Sequence, residues 1–373
     1  MKSNCNLRYI ATILCLVLIQ ACTSKEEVSV EDSIDPKVVL VTLDGLRWQE
    51  LFSGADPSLI NHTEYVSDTA KLKALFWRDN PQSRRQVLMP FMWKTIGLEG
   101  QLYGNRVFGN HVNLTNNQWF SYPGYSEILC GFADDNRINS NDKINNENTT
   151  VLEYVHNQAG FQGKVAAFAS WDVFPYIINE MRSGIPVNAG YEDVVDPYTE
   201  EEKLINQLQH QTPKLWESVR LDGFTHQLAM SHLVNHRSKL LYIAYGETDD
   251  FAHEGKYDEY LKAARRTDDL LSQLWKTLQS DPFYKDQTTL LITTDHGRGV
   301  QPIDQWRHHG KSNIPRSDEV WIAAIGPKIA SKGEINTIQQ LYSNQIAATI
   351  AKILGFDYPE ERAGKDLLMF LQP

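Results

Sequence analysis

In TLLITTDHG, residues 289–297, a run of Leu, Ile and Thr ends abruptly in Asp295 and His296. A short apolar run of this kind, bounded by polar residues, reads as a buried strand of a parallel sheet covered on both faces. A carboxylate and an imidazole are costly occupants of such a strand's end unless something pairs with them. KVVLVTLDG, residues 37–45, repeats the pattern and delivers Asp44 at its end. KLLYIAYGETDD, residues 239–250, does so a third time, its polar end carrying Glu247, Asp249 and Asp250. Between these strands lie amphipathic stretches such as EYLKAARRTDDLLSQLWKTL, residues 259–278, with apolar positions at helical spacing. Strand alternating with helix predicts an α/β fold, a mostly parallel central sheet flanked by helices. In such sheets ligands bind beyond the carboxyl ends of the strands, which is where these acids fall.

The chain has 373 residues, 42% hydrophobic and 22% charged, enough to bury the core of one large domain or two modest ones. A formal net charge of −11 excludes a nucleic-acid scaffold binder, so an anionic substrate must be held by local charge. No long repeat interrupts the body. Residues 56–100 and 190–237 read as insertions on the main sheet, the first as surface packing in preference to a lid. The Asn-rich run RINSNDKINNENTT, residues 137–150, reads as a loop from its turn chemistry.

The N-terminus reads as a targeting segment. Lys2 and Arg8 precede YIATILCLVLIQAC, which is too short and too closely followed by polar sequence for a membrane span. Its end, LIQAC, resembles the lipobox of bacterial lipoproteins, which implies removal of residues 1–21 and lipidation of Cys22; a plain cleaved signal is the alternative. Residues 22–36 then form a polar tether, and residues 37–373 the folded domain. Thr23 in place of Asp implies, by the same resemblance, outer-membrane sorting in a bacterial cell envelope, with periplasmic and surface orientation both open. The membrane is thus a partner only through the anchor. Cys5 and Cys15 leave with the signal and Cys22 is acylated, so Cys130 stands alone in the body. No intramolecular disulfide or four-cysteine zinc site can form, and any metal must be held by His and carboxylates.

The chemistry gathers in four places. Asp249 and His253, four apart, share one face of a helix start. Asp295 and His296 close the opening strand, His308 and His309 offer a loop ligand, and Asp44 adds a carboxylate. Three Asp and three His suit a pair of divalent cations, and zinc matches the mixed oxygen and nitrogen donors. In NQWFSYPGYSEILCG, residues 117–131, Ser121 precedes Pro123 and an apolar helical pattern. A serine there is often only a helix cap. Beside two divalent ions its hydroxyl can instead be deprotonated and become a nucleophile without a histidine base.

The ordered series TLDG, FSYPGYSEILCG, ETDDFAH, TTDHG and HHG resembles the alkaline phosphatase superfamily, and within it the nucleotide pyrophosphatase/phosphodiesterase branch. The resemblance implies an α/β sandwich carrying two zinc ions. It implies that Asp44, Asp295 and His296 hold one with the nucleophile Ser121, and that Asp249, His253 and His309 hold the other. His309 is preferred to His308 because the family's ligand directly precedes a glycine, here Gly310. It further implies hydrolysis of a small phosphoric ester through a phosphoserine intermediate. The branch more often uses Thr as nucleophile, and Ser121 keeps the hydroxyl. The family's phosphate-contacting Asn falls in the Asn-rich run, where Asn141 and Asn145 are both candidates and Asn141 is taken. Sulfatases of the superfamily require Arg two residues after the proline of their motif, and Tyr125 stands there. The related phosphoglycerate mutases suit a secreted chain poorly, and a non-catalytic binding lipoprotein has no need of a complete ligand set. Arg298 and Lys311 read as solvated loop charges, and Trp119, Phe120, Tyr122 and Trp171 either stack on a substrate or pack in the core.

Overall fold

The computed structural model describes residues 35–195, 199–311 and 313–372. The signal segment, Cys22 and the tether up to residue 34 lie outside the described residues. Strands β1 (Lys37–Leu43), β6 (Leu240–Tyr245) and β7 (Thr288–Thr293) are buried at every position, as their unbroken apolar runs require. β1 lies between the other two and is parallel to both, with Val41 opposite Ile243 on one side and Ile292 on the other.

The eight-stranded sheet also takes in β2 (Gln101–Tyr103), β4 (Val165–Ala169), β5 (Val187–Ala189), β9 (Ile322–Ile325) and β10 (Gly333–Glu334). Its order is β10-β2-β9-β7-β1-β6-β4-β5, and β9 alone runs against the rest. A small second sheet joins β3 (Asn110–Asn113), β8 (Glu319–Val320) and β11 (Gln339–Tyr342), and β3 leads into the turn before Ser121.

Alternate strand residues feed two cores. Val39, Val41, Leu43, Ile243 and Ile292 face helices Asp222–His236 and Tyr257–Ser280, which contribute Leu228, Leu233, Leu261, Leu271 and Leu274. Val38, Leu40, Tyr242 and Leu291 face helices Ser121–Cys130, Val151–His156 and Ile346–Ile353 through Ile128, Leu129, Leu152, Val155 and Ile350. The result is a helix–sheet–helix sandwich.

Residues 56–100 are core rather than decoration. Leu59, Ile60, Tyr65, Leu72, Leu88 and Met92 enter the first cluster, and buried Asp268 accepts hydrogen bonds from the Phe91 and Met92 amides at 2.7 and 2.9 Å. The stretch 190–237 differs from its reading as a single insertion. Helix Glu200–Gln211 is largely peripheral, but helix Asp222–His236 belongs to the layer that covers β4 and β6. Its weakly segregated polarity, with His226 and Thr225 buried beside Leu228, hides that role in the sequence.

Candidate active site

Parallel register brings the carboxyl ends of β1, β6 and β7 side by side, and each is followed at once by chemistry. Asp44 follows β1, helix Glu247–His253 follows β6 with Asp249 and His253 on one face, and Asp295 and His296 follow β7. Ser121 opens helix Ser121–Cys130, whose approach is set by buried Glu127. Its carboxylate accepts from the Thr115 amide at 2.8 Å and from the Asn116 amide and side chain at 2.8 and 2.7 Å. Two glycines permit the convergence. A Cβ on Gly124 would sit 2.2 Å from the Asp295 carbonyl oxygen. Gly45, at φ +59°, would place one 2.8 Å from Asp249 Oδ1.

His296 is the hub. Its Nδ1 donates to the Gly297 carbonyl at 2.9 Å, which turns Nε2 inward. Nε2 lies 3.4 Å from Ser121 Oγ, 3.2 Å from Asp44 Oδ1, 3.5 Å from Asp295 Oδ2 and 3.7 Å from Asp249 Oδ1. The second half adjoins it: Asp249 lies 3.1 Å from His253 Nε2 and 3.6 Å from His309 Nε2, and the two histidine Nε2 atoms are 2.9 Å apart. His296 and His309 stack with ring centres 3.8 Å apart. Five candidate ligands thus gather around His296, and His253 joins them through Asp249 and His309.

The donor set fits metal ions at the level of single atoms. Asp44 uses Oδ2 to accept from the Tyr125 hydroxyl at 2.8 Å, and Asp295 uses Oδ1 to accept from the Gly45 amide at 3.1 Å. Their other oxygens, Asp44 Oδ1 and Asp295 Oδ2, are buried without a hydrogen-bond partner and face His296 Nε2. Orphaned buried carboxylate oxygens are expensive unless a cation meets them. Asp44, Asp295 and His296 converge as one potential ligand group, and Asp249, His296 and His309 as another. Burial, reinforced by neighbouring carboxylates, raises the Asp44 and Asp295 carboxyls above their ordinary range. Burial alone would depress His296, but Asp295 and Asp44 outweigh it and push the imidazole up to about 9. Burial also works to raise Asp249, yet His253, Arg298 and His309 prevail and hold it well below the usual carboxylate range.

A cleft of about 350 Å³ opens on this cluster, lined by Ser121, Asn141, Trp171, Ser218, Val219, Asp250 and His308 besides candidate ligands. Asn141 Oδ1 accepts from the Tyr122 amide at 3.0 Å, which seats it beside the nucleophile helix. Asn145 lines a separate hollow in the Asn-rich loop. Arg298 departs from its reading as a solvated charge: it is 1% exposed and ion-pairs with Asp249 Oδ1. Its Nη1 also donates to the Arg307 carbonyl at 2.8 Å. Lys311 is exposed. Tyr122 is core, its hydroxyl donating to the Ile144 carbonyl at 2.5 Å, whereas Trp171 faces the cleft. Ser218 and Val219 carry no sequence signal, since only the fold of the 190–237 stretch brings them to the rim.

Known proteins resemble this chain in sequence and in fold. The family described as type I phosphodiesterase / nucleotide pyrophosphatase matches residues 111–349, well over half of the chain, with Asp44 upstream of the matched segment. Among solved structures, alkaline phosphatase PafA superposes with a TM-score of 0.56 at 12% identity, covering 91% of this chain and 99% of that one. Murine ectonucleotide pyrophosphatase / phosphodiesterase 5 gives 0.55 at 13%, covering 88% and 97%. Curated relatives include the 2,3-bisphosphoglycerate-independent phosphoglycerate mutases of Rippkaea orientalis, 28% identical over 134 residues, and Salmonella typhi, 25% identical over 186. These matches take in 35% and 49% of this chain but only 24% and 33% of those proteins. With a family model matching well over half of its length, the chain belongs to the type I phosphodiesterase / nucleotide pyrophosphatase family.

Proposed function

We propose that this protein hydrolyses phosphoric diesters through a phosphoserine intermediate at a two-metal site, with zinc the ion that best suits the donors. The observation that carries the reading is Ser121 Oγ standing 3.4 Å from His296 Nε2, beside the orphaned oxygens of Asp44 and Asp295. Asp44, Asp295 and His296 would hold one ion with Ser121, and Asp249, His253 and His309 the other. Bound there, the ions supply positive charge that favours a deprotonated serine and offsets charge developing on phosphorus and on the leaving oxygen.

The residues do the rest. Ser121, its proton lost to solvent, attacks phosphorus in line; the Ser121 Oγ–P bond forms as the bond to the leaving oxygen breaks, and the leaving group takes the electron pair. Water then cleaves the phosphoserine. Asn141, anchored through its Oδ1, has its Nδ2 group left to donate to a phosphoryl oxygen.

Diesters are favoured because no lysine or arginine lines the cleft among the described residues. A monoester dianion brings one more negative charge, which a cleft already holding Asp250 would oppose. The same absence weighs against a phosphoglycerate mutase reaction, whose substrate is more anionic still. Tyr125, bonded to Asp44, occupies the place of the sulfatase arginine. The test is kcat/KM of the zinc-loaded domain on bis(p-nitrophenyl) phosphate and p-nitrophenyl phosphate. Preference for the diester is expected; hydrolysis of neither refutes the hydrolase reading, and preference for the monoester refutes the substrate class. The lipobox-like LIQAC supports the further reading that the domain is anchored in the cell envelope through Cys22. Metabolic labelling with a radioactive fatty acid, lost in Cys22→Ala, checks that.

A further inference from the structure

Helix Ser121–Cys130 turns more than its first serine toward the ligand cluster. Residues 121, 124 and 125 share one face at helical spacing, and all three meet the ends of β1 and β7. Ser121 Oγ lies 3.4 Å from His296 Nε2, Gly124 packs against the Asp295 carbonyl, and the Tyr125 hydroxyl donates to Asp44 Oδ2 at 2.8 Å. One helix face therefore touches Asp44, Asp295 and His296, an entire potential ligand group.

Packing does not explain the Tyr125 hydroxyl. The side chain is 1% exposed, and its ring sits edge-on against Phe174 with centres 4.7 Å apart, a contact that phenylalanine would make equally well. A buried hydroxyl is costly unless it finds a partner, and here the partner is Asp44 Oδ2. The bond decides the orientation of Asp44 in return. The last torsion of an aspartate has only a broad preference, so a donor on one oxygen settles where the other points. With Oδ2 held by Tyr125, Oδ1 is left without a hydrogen-bond partner, 3.2 Å from His296 Nε2. The main chain of Asp44 is fixed separately, its amide donating to the Tyr245 carbonyl at 2.9 Å and its carbonyl accepting from the Thr248 hydroxyl. Asp295 is braced by the Gly45 amide, a donor that no side-chain substitution removes.

We infer that Tyr125 is a positioning residue that ties the Asp44 carboxylate to the Ser121 helix, so that the oxygen left for an ion and the attacking hydroxyl face the same point. The inference rests on the two-metal reading above and goes beyond it, since Tyr125 acts through Asp44 and not on substrate. Being neutral, the phenol orients the carboxylate without placing a positive charge beside the ions.

Tyr125→Phe, which removes a single oxygen atom and keeps the ring, is the test. Tyr242→Phe is its control, because that buried hydroxyl bonds to Thr42 Oγ1 at 2.9 Å, in the same core, rather than to a candidate ligand. Zinc affinities are measured by competition with a chromophoric chelator, and thermal midpoints are taken in zinc and in EDTA. Tyr125→Phe should weaken one of the two zinc ions by about 10- to 100-fold, as deletion of a group that orients a metal ligand does, and leave the other within about twofold. Its midpoint should fall further in zinc than in EDTA, because weaker binding stabilises the fold less. At saturating zinc, kcat on bis(p-nitrophenyl) phosphate should fall with KM little changed. Tyr242→Phe should lower both midpoints equally and keep both zinc affinities. A Tyr125→Phe protein that binds both ions as tightly as the wild type, or whose midpoint falls equally in the two media, would make the hydroxyl merely structural; that overturns the inference and leaves the hydrolase reading standing. A wild type that takes up no zinc refutes the two-metal reading and the inference with it.

Discussion

Replacing Gly124 by alanine tests how tightly the helix that opens on Ser121 is pressed against the strand end that carries Asp295 and His296. The new Cβ would lie 2.2 Å from the Asp295 carbonyl oxygen, 3.0 Å from its carbonyl carbon and 3.3 Å from its Cβ. Ordinary contact between such atoms is about 3.5 Å, so the helix or the Asp295 backbone must give by about 1 Å. Neither yields cheaply, because the helix is buried along its length and Asp295 is held by the Gly45 amide. Alanine gains up to about 1 kcal/mol over glycine in a helix. Overpacking of a close backbone contact costs about 1–3 kcal/mol, so the net effect is a loss of up to about 2 kcal/mol. The functional loss is larger, because a 1 Å displacement of reacting groups costs about 100-fold in rate.

The control is Gly223→Ala, in helix Asp222–His236, where an added Cβ meets nothing within 4 Å and the helical gain should appear alone. Urea denaturation and kcat/KM, measured on both, should show Gly124→Ala destabilised and about 100-fold slower. Gly223→Ala should instead be neutral or stabilised by up to about 1 kcal/mol. A Gly124→Ala protein with wild-type stability and turnover would refute the close approach from which the site's geometry is argued.

Four other outcomes are expected. Ser121→Ala should reduce turnover to background while zinc content by elemental analysis stays at the wild-type level; retained turnover would remove Ser121 as nucleophile. Asn141→Ala should lower kcat by about 100-fold, the usual effect of deleting one preorganised donor, whereas Asn145→Ala should leave it unchanged. Arg298→Met leaves the Asp249 carboxylate without its buried partner, so the thermal midpoint should fall more in EDTA than with zinc, and equal falls would refute the pairing. Stability should also fall in acid through His226, which is buried with Nδ1 2.8 Å from the Tyr245 hydroxyl and has its pKa lowered by burial to about 4. Below its unfolded value of 6.5 the unfolded chain takes up a proton that the folded chain refuses until about pH 4. Stability therefore declines as pH drops through that window, by at most about 3 kcal/mol for this one group. His226→Asn should flatten the pH dependence of the urea midpoint there, and an unchanged slope would exclude His226 as its source.

Much of the site was legible because its residues sit at predictable places on regular elements. Apolar runs that end in Asp44 and in Asp295–His296 announce buried parallel strands, and the helical spacing of Asp249 and His253 announces a shared face. His309 could be preferred to His308 only through the family pattern around Gly310, and the stacking of His309 on His296 places that ring in the cluster. Arg298 was misread because a charge in a loop gives no sign of burial until its partner is known. Helix Asp222–His236 was misread because buried polar residues blur its apolar stripe.

The strand ends, the candidate ligand types and their local spacing can be read along the chain, because they follow from side-chain chemistry and from periodicities of two and 3.6 residues. Tertiary structure alone decided which oxygens of Asp44 and Asp295 are spent on Tyr125 and Gly45 and which are left facing His296. It also decided that Asn141 rather than Asn145 joins the cleft, and that Trp171, Val219 and Asp250 meet there from three separate segments. The physical reason is that satisfaction of a polar atom, burial of a charge and the lining of a cleft are set by partners distant in the chain. Those partners meet only when the parallel register of β1, β6 and β7 aligns their ends.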